Sequence, residues 1–322
     1  MQFLKPGILS TIQDTGRNAY RYSGINPNGA MDKTAARLLN ILLGNDENEA
    51  VIEFHFPAPE ILFEGAAVIA IGGADFAPYL SNENGGISPI NNWQAIQIPA
   101  GNTLKFRKRI NGQRAYLAVK EGIHAQTWLG SKSTNSLLDF NTIRSRQRFA
   151  LSSTNPTAFL PYLGQSVRPP YGASPMIRLI KGNEYALLTG ESKTLLKDQT
   201  FTISQQSNRM GYRLMGETLQ LSEKIELVSS AVDFGTVQLL PDGQLIILMA
   251  DHQTTGGYPR VGNVVSVDLP MLAQCGPKDN IRFQFISPKE AEELLILREK
   301  EIRKLKATMY YFYSKLPTSV GI

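Results

Sequence analysis

Apolar residues in this chain fall mostly in short runs rich in Val, Ile, Leu and Phe, closed by Gly, Pro, Asn or Asp. That pattern predicts short strands joined by turns. The runs are Ala67–Ile71, Thr103–Arg107, Ala115–Val119, Ile177–Ile180, Ile225–Val228, Thr236–Leu239, Leu245–Met249, Val264–Val267 and Ile281–Ile286. Asn111-Gly112 separates two of them. The dipeptide favours a type I′ turn, so Leu104–Val119 is expected to be a β-hairpin.

Two stretches keep a helical period instead. Lys33 to Leu43 places Ala35, Leu38, Leu39, Leu42 and Leu43 on one face. Asp32 can accept hydrogen bonds from the first turn, and Gly44-Asn45 supplies the stop. The second helix begins after Ser287-Pro-Lys-Glu290, with Ser at the cap, Pro at the first position and Glu at the third. Ala291, Leu294, Leu295, Ile302, Leu305 and Met309 then recur at helical spacing. Its polar face mixes Glu with Lys and Arg, as a solvated surface does. The tail Tyr310-Tyr-Phe-Tyr313 either packs on the body or meets a partner.

Prolines gather between Ser152 and Pro175, at 156, 161, 169, 170 and 175. Proline withholds ladder hydrogen bonds, which argues against a central strand there. The chain is therefore divided into an N-terminal domain (1–155), a connection (156–175), a second domain (176–290) and a C-terminal helix with its tail (291–322). Its 322 residues suffice for two cores. No repeat in sequence relates the halves.

Composition narrows the partners. With 42% hydrophobic and 19% charged residues the chain reads as globular. No apolar run approaches the ~20 residues of a membrane span, and Met1–Gly7 lacks a signal peptide's apolar segment. Neither a membrane partner nor export is expected. The single cysteine, Cys275, excludes an internal disulfide and a cysteine cluster for zinc. That suits a reducing cytoplasm. Beside Gly276-Pro277, Cys275 is read as inert rather than as a catalytic thiol. The net charge is +5, but the basic clusters Arg107-Lys-Arg109 and Arg144, Arg146, Arg148 are too short for a nucleic-acid stripe. A modest positive field suits small anions such as nucleotides or carboxylates.

Familiar catalytic motifs are missing. Gly130-Ser-Lys-Ser-Thr134 has the wrong spacing for a phosphate-cradling loop. No Gly-x-Ser-x-Gly elbow occurs. His55, His124 and His252 are too scattered for a histidine metal site. No segment suits biotin attachment. Three polar, glycine-rich stretches remain. In the first, Gln13, Asp14 and Arg17 share one turn, in which Asp14 could equally bond local N–H groups while Gly16 takes positive φ. In the second, Arg209 and Arg213 stand four apart around Gly211. Their planar forks can hold a carboxylate or phosphate, or they can be two surface arginines. In the third, the apolar strand ending at Met249 delivers Asp251-His-Gln-Thr-Thr-Gly-Gly-Tyr-Pro-Arg260. Asp251 could act as a base or orient an attacking group, and His252 could titrate near neutral pH. A polar loop with a local turn at Asp251 is the plainer alternative.

These stretches carry a resemblance. Thr11-Ile-Gln-Asp-Thr-Gly-Arg17, Gly29-Ala-Met-Asp32, Gly44-Asn45 with Glu53, Ala115-Tyr-Leu-Ala-Val119 and Leu129-Gly-Ser-Lys-Ser-Thr134 come first. Asn208-Arg-Met-Gly-Tyr-Arg-Leu-Met-Gly216 and Ala250-Asp-His-Gln-Thr-Thr-Gly-Gly-Tyr258 follow. Together, in this order and to about Ala291, they resemble the allophanate hydrolase subunit 2 family, which is related to biotin-dependent carboxyltransferases. The resemblance implies a mainly β fold of tandem cyclophilin-like barrels with few helices. Relatives act as the C-type subunit of 5-oxoprolinase, working with A-type and B-type subunits to open 5-oxoproline to glutamate using ATP. Others form the carboxyltransferase region of urea carboxylase, or antagonise an inhibitor of a histidine kinase. A chain of this length without biotin segments fits the first setting best. The expected partners are then chains like the B-type and A-type subunits of 5-oxoprolinase, with ATP shared at a partner and Mg2+ accompanying it.

The family's polar set falls on Gln13, Asp14, Arg17, Asp32, Asn208, Arg209, Arg213, Asp251, Gln253, Thr254, Thr255 and Tyr258. Opening a stable lactam at neutral pH needs activation, and phosphorylation of the amide oxygen would supply it. Asp251, Gln253 and Arg209 are assigned to the chemistry, with Arg209 and Arg213 clamping anions and Asp251 moving a proton or positioning. The other residues of the set are assigned to binding. One departure is visible. Val119-Lys-Glu-Gly-Ile123 stands where relatives commonly have Gly-Gly, so Glu121 puts a close backbone contact there in doubt.

Overall fold

The computed structural model describes residues 1–315 apart from 136, 137, 139, 153–159 and 224. The boundary placed at 155/156, with Pro156, lies outside the described residues, as do 316–322 of the tail. The chain is mainly β with a long C-terminal helix, in agreement with the sequence reading.

In the N-terminal half the strands divide between two five-stranded sheets. The first runs Gln2–Lys5, Glu60–Leu62, Thr103–Phe106, Pro78–Ser81, Ile87–Pro89 in spatial order; the second runs Ile8–Gln13, Val51–His55, Asn111–Val119, Ala67–Asp75, Ala95–Ile98. Phe3, Ile61 and Leu104 of the first meet Ile52, Phe54, Ile71 and Leu117 of the second in one core. Leu117 lies opposite both Ile52 and Ile71, so register is set by apolar pairs. Side chains alternate across a strand. Val51, Tyr116 and Ala118 therefore point to the other face, where helix α1 (Lys33–Leu43) covers them. Asp32 caps α1 by accepting from the Ala35 N–H at 2.8 Å, and Gly44 ends it at φ 74°.

The C-terminal half is a closed barrel of seven strands. Around it run Met176–Lys181, Arg260–Val264, Thr236–Leu239, Leu245–Leu248, Gly211–Met215, Phe201–Ile203 and Asn280–Phe285. The last returns to the first in parallel register. Leu179, Phe201, Tyr212, Ile247 and Phe283 fill its core, and Met31 reaches into it from the N-terminal half. Two short helices that the periodicity did not signal, α2 (Gly190–Asp198) and α3 (Leu269–Ala273), flank the barrel. Helix α4 (Pro288–Ser314) starts with the expected capping box and crosses back onto α1. It buries Ile302 and Met309, and the Tyr313 hydroxyl donates to the Leu42 carbonyl at 2.8 Å. Tyr310 and Tyr311 stay exposed.

Three local expectations are corrected. Thr103–Phe106 and Asn111–Val119 lie in different sheets and form no hairpin. Gly112 sits at φ 72°, and a Cβ there would come within 2.8 Å of Ala74 and 2.9 Å of Gln274 Oε1. Close packing, not a type I′ turn, uses this glycine. Ile225–Val228 is irregular, with Val228 exposed; the nearby pairing is Ser230–Ala231 with Thr255–Gly256. The strand placed at Val264–Val267 instead ends at Val264, because the chain turns there to bury Asp268 against Arg178.

Candidate functional site

The halves meet along a polar seam, and the centre of that seam is a charge relay. Strand Val51–His55 turns Ile52 and Phe54 to the core and Glu53 the opposite way. Glu53 is buried, and its Oε2 accepts from the Met31 N–H at 2.9 Å and the Tyr116 hydroxyl at 2.8 Å. Its Oε1 accepts from Arg209 Nη1 at 2.5 Å. Burial opposes the charge on Glu53, but Arg209 and Arg114 outweigh it and hold the carboxyl below its usual range.

Backbone pairing then aligns Arg209 with Asp251. Past the barrel strand, the Met249 N–H donates to the Met210 carbonyl and the Asp251 N–H to the Arg209 carbonyl. This sets the two side chains together in a bidentate pair, Nε to Oδ2 at 2.8 Å and Nη2 to Oδ1 at 2.9 Å. Arg209 Nη2 also donates to the Gly29 carbonyl. From the N-terminal half, Asn28 donates to Asp251 Oδ1 and Asn26 to the Asp251 carbonyl, both at 2.8 Å. Asp251 is thus fixed from both halves yet remains partly open to solvent.

The loop that resembled a phosphate cradle has another occupant. Ser131 and Ser133 hydroxyls donate to Asp14 Oδ1 at 2.7 and 2.5 Å, and the Lys132 N–H donates to Oδ2 at 2.6 Å. The Gly16 N–H closes the turn on Oδ1, with Gly16 at φ 91°. Arg17, buried, donates to Asn28 Oδ1 and the Ser133 carbonyl and lies over the Trp128 ring. The loop binds a carboxylate of its own chain. Arg209 is likewise committed to protein groups, so neither it nor this loop is free to cradle a triphosphate.

Other members of the set fall in different places. Asp32 is fully buried, with Oδ2 accepting from Tyr171 and Gln274; burial, against those bonds, pushes it up to about 6. Gln13 is buried and donates to Thr11; its Oε1 has no partner among the described residues. Gln253, Thr255, Tyr258 and Asn208 are exposed and Thr254 half-buried. Tyr258 edges a cavity of about 860 Å³ lined also by Leu219, Leu227 and Leu240. Arg213 does not join Arg209. It faces out of the barrel between the buried Tyr212 and Leu214, so the two arginines form no clamp. His252 is buried, and burial lowers its pKa, so it is neutral at pH 7 rather than poised to titrate there. Cys275 is buried and its thiol is pushed up to about 12, which suits an inert role. Glu121 forms an exposed turn at φ 66°, a left-handed position that glycine adopts freely, away from the seam.

Glu53, Asn28, Arg114, Tyr116 and Asp233 were not among the expected site residues. The signal for Glu53 and Arg114 was present: a charge inside an otherwise apolar strand demands a buried partner. Asp233 was not legible, because only the fold brings it to His252, with Nε2 and Oδ1 3.9 Å apart, and to Arg21. Among the described residues, no helix is long and apolar enough to cross a membrane.

Comparison with known proteins gives a family and relatives. Residues 23–285 match the family model described as carboxyltransferase domain, subdomain A and B. The chain is 36% identical to the C-type subunit of 5-oxoprolinase from Haemophilus influenzae over 288 residues, covering 88% of this chain and 91% of that one. It is 33% identical to the Escherichia coli protein of the same name, covering 90% and 93%. Among solved structures, TTHA0988 superposes with a TM-score of 0.76 at 28% identity, covering 88% of this chain. This chain spans 54% of that one, about half its length. Kluyveromyces lactis urea carboxylase gives 0.85 over 94% of this chain and 29% of its own, a likeness in fold at 24% identity.

Proposed function

The chain belongs to the carboxyltransferase domain, subdomain A and B, family, and from that membership we propose that it is the C-type subunit of an ATP-dependent 5-oxoprolinase. The observation that carries this reading is the end-to-end likeness to the two C-type 5-oxoprolinase subunits, which match this chain over nearly their whole length. In this reading the substrate is 5-oxoproline and the product glutamate. A-type and B-type subunits complete the site, and ATP with its Mg2+ is held by a partner. Cytoplasmic residence is part of the same proposal, supported by the lone cysteine.

The seam supplies one fixed carboxylate and an open polar edge. Arg209 and Asn28 hold Asp251 in a single orientation, which suits it to position the lactam or to accept a proton from it. Gln253, Thr254 and Thr255 follow on the open side of the loop, where they can bond a substrate enclosed by a partner chain. The test mixes the native chain, or Asp251→Asn, with A-type and B-type subunits and measures ATP hydrolysis with and without 5-oxoproline. We expect 5-oxoproline-dependent hydrolysis from the native mixture, and about a hundredfold loss with the variant. Full activity with Asp251→Asn would falsify the assignment of Asp251.

The family description and the likeness to urea carboxylase favour a second reading, a carboxyltransferase subunit that accepts carboxyl from biotin carried on another chain. Co-purification of a biotinylated protein, detected with streptavidin, would decide for it.

A further inference from the structure

We propose that a cavity remote from Asp251 binds a free α-amino acid, with Asp75 receiving its ammonium and Arg168 and Arg298 its carboxylate. The cavity holds about 550 Å³ between the N-terminal half, the segment 165–171 and helix α4, and none of the expected polar set lines it. Charges of both signs line it without neutralising one another. Asp75 ends its strand, and its Oδ1 accepts from the Ala77 N–H at 2.8 Å. Among the described residues Asp75 makes no ion pair, and neither does Arg168. Arg168 Nε and Nη2 both donate to the Leu163 carbonyl, and burial lowers its pKa with no carboxylate to oppose it. Arg298 is fixed by the Val167 carbonyl at 2.9 Å, and its ion pair with Glu301 is 3.3 Å long on an exposed helix face. Local bonds thus hold each charge in its own wall of the cavity.

The rest of the lining fits the same ligand. Asn92 Oδ1 is buried and has no partner among the described residues. An ammonium has three donors, enough for Asp75 and this orphaned acceptor together. Trp93 stands at φ 63°, a conformation that costs a bulky residue energy. Its N–H bonds the Ile71 carbonyl at 2.6 Å, and its carbonyl accepts from the Leu163 N–H at 2.8 Å, which keeps it there. Its ring lies 6.0 Å from the Arg168 guanidinium and 6.5 Å from the Tyr171 ring, an apolar wall for the ligand's carbon atoms. The opposed charges select a dipolar molecule. A plain anion would meet Asp75 and a plain cation the arginines, whereas a zwitterion answers both. The cavity also backs onto the seam. Tyr171 donates to Asp32, the Asp32 N–H to Tyr116, and Tyr116 to Glu53, which holds Arg209. An occupant would therefore rest against the network that orients Asp251.

The test is binding to the full chain, so it does not depend on the 5-oxoprolinase reading. Each common amino acid is titrated by calorimetry. The tightest is then compared with its N-acetyl form, which lacks the ammonium, and its carboxamide, which lacks the carboxylate. Each derivative should bind about tenfold or more weakly, the worth of a hydrogen bond to a charged group. Asp75→Asn keeps the oxygen that the Ala77 N–H needs. It should weaken the amino acid about tenfold, and acetylating the ligand should then cost nothing further. Arg168→Met should do the same for the carboxamide. No binding by any amino acid at about 10 mM overturns the proposal. Equal binding of the three ligand forms to the native chain overturns it too, as does an acetylation cost as large in Asp75→Asn as in the native chain. The comparison of ligand forms needs no variant, so it decides even if Arg168→Met fails to fold.

Discussion

Asp32 shows how a single buried carboxyl can do local work and still carry a readable signature. It caps α1, accepts from Tyr171 and Gln274, and titrates at about 6 against an ordinary value of 3.8, because burial penalises its charge. The folded chain therefore holds this proton more tightly than the unfolded chain between those values. The stability it contributes is complete below the unfolded value and is lost as pH rises through 6. Asp32→Asn stays neutral throughout, so the variant should gain on the native protein between about pH 4 and about pH 7, whatever its constant offset. Urea denaturation at both pH values checks this; a difference that does not move with pH sinks it. The cap itself was legible in the sequence. The elevated titration was not, since it comes from burial by remote parts of the chain, which the bonds from Tyr171 and Gln274 offset only in part.

Among elements, the helices with explicit start and stop residues were the readable ones. Asp32 with Gly44, and Ser287 with Glu290, mark their ends by chemistry that acts within a few residues. The loop after Met249 was readable for the same reason, a buried strand opening at once into polar residues. The Asn111-Gly112 hairpin was misread because the glycine answers to Ala74 and Gln274, neither of them near in sequence. Gly44 combines both kinds of constraint. It stands at φ 74°, and a Cβ there would lie 2.7 Å from the Tyr313 ring of α4. Gly44→Ala should cost about 1–2 kcal/mol from the left-handed backbone alone. The clash with Tyr313 adds to that, so in a Tyr313→Ala background the cost should shrink. A double-mutant cycle by denaturation measures it, and strict additivity would count against the contact between α1 and α4.

At the scale of the whole molecule, the seam welds the two halves into one unit. Arg114 of the N-terminal half donates to the Tyr212 hydroxyl and the Ala273 carbonyl, and Gln274 Oε1 accepts from the Gln113 and Arg114 N–H groups. Arg209 is the central tie, since it bonds Glu53 and Gly29 on one side and Asp251 on the other. Sequence could supply each charge but not their partners, because the bonds span most of the chain. Arg209→Met would remove the nearer ion-pair partner of buried Glu53 and leave only Arg114, 3.9 Å away, at a cost of about 3 kcal/mol. That cost should not stay in the barrel. Amide hydrogen exchange is expected to quicken both around Asn26–Met31 and around Met249–His252, because each segment is anchored through the same guanidinium. Faster exchange in only one half would mean that the halves are held by their apolar contacts and that the charge relay serves the site alone. Faster exchange in both would make the carboxylate of Asp251 a property of the assembled molecule, fixed in place only while the two halves stay together.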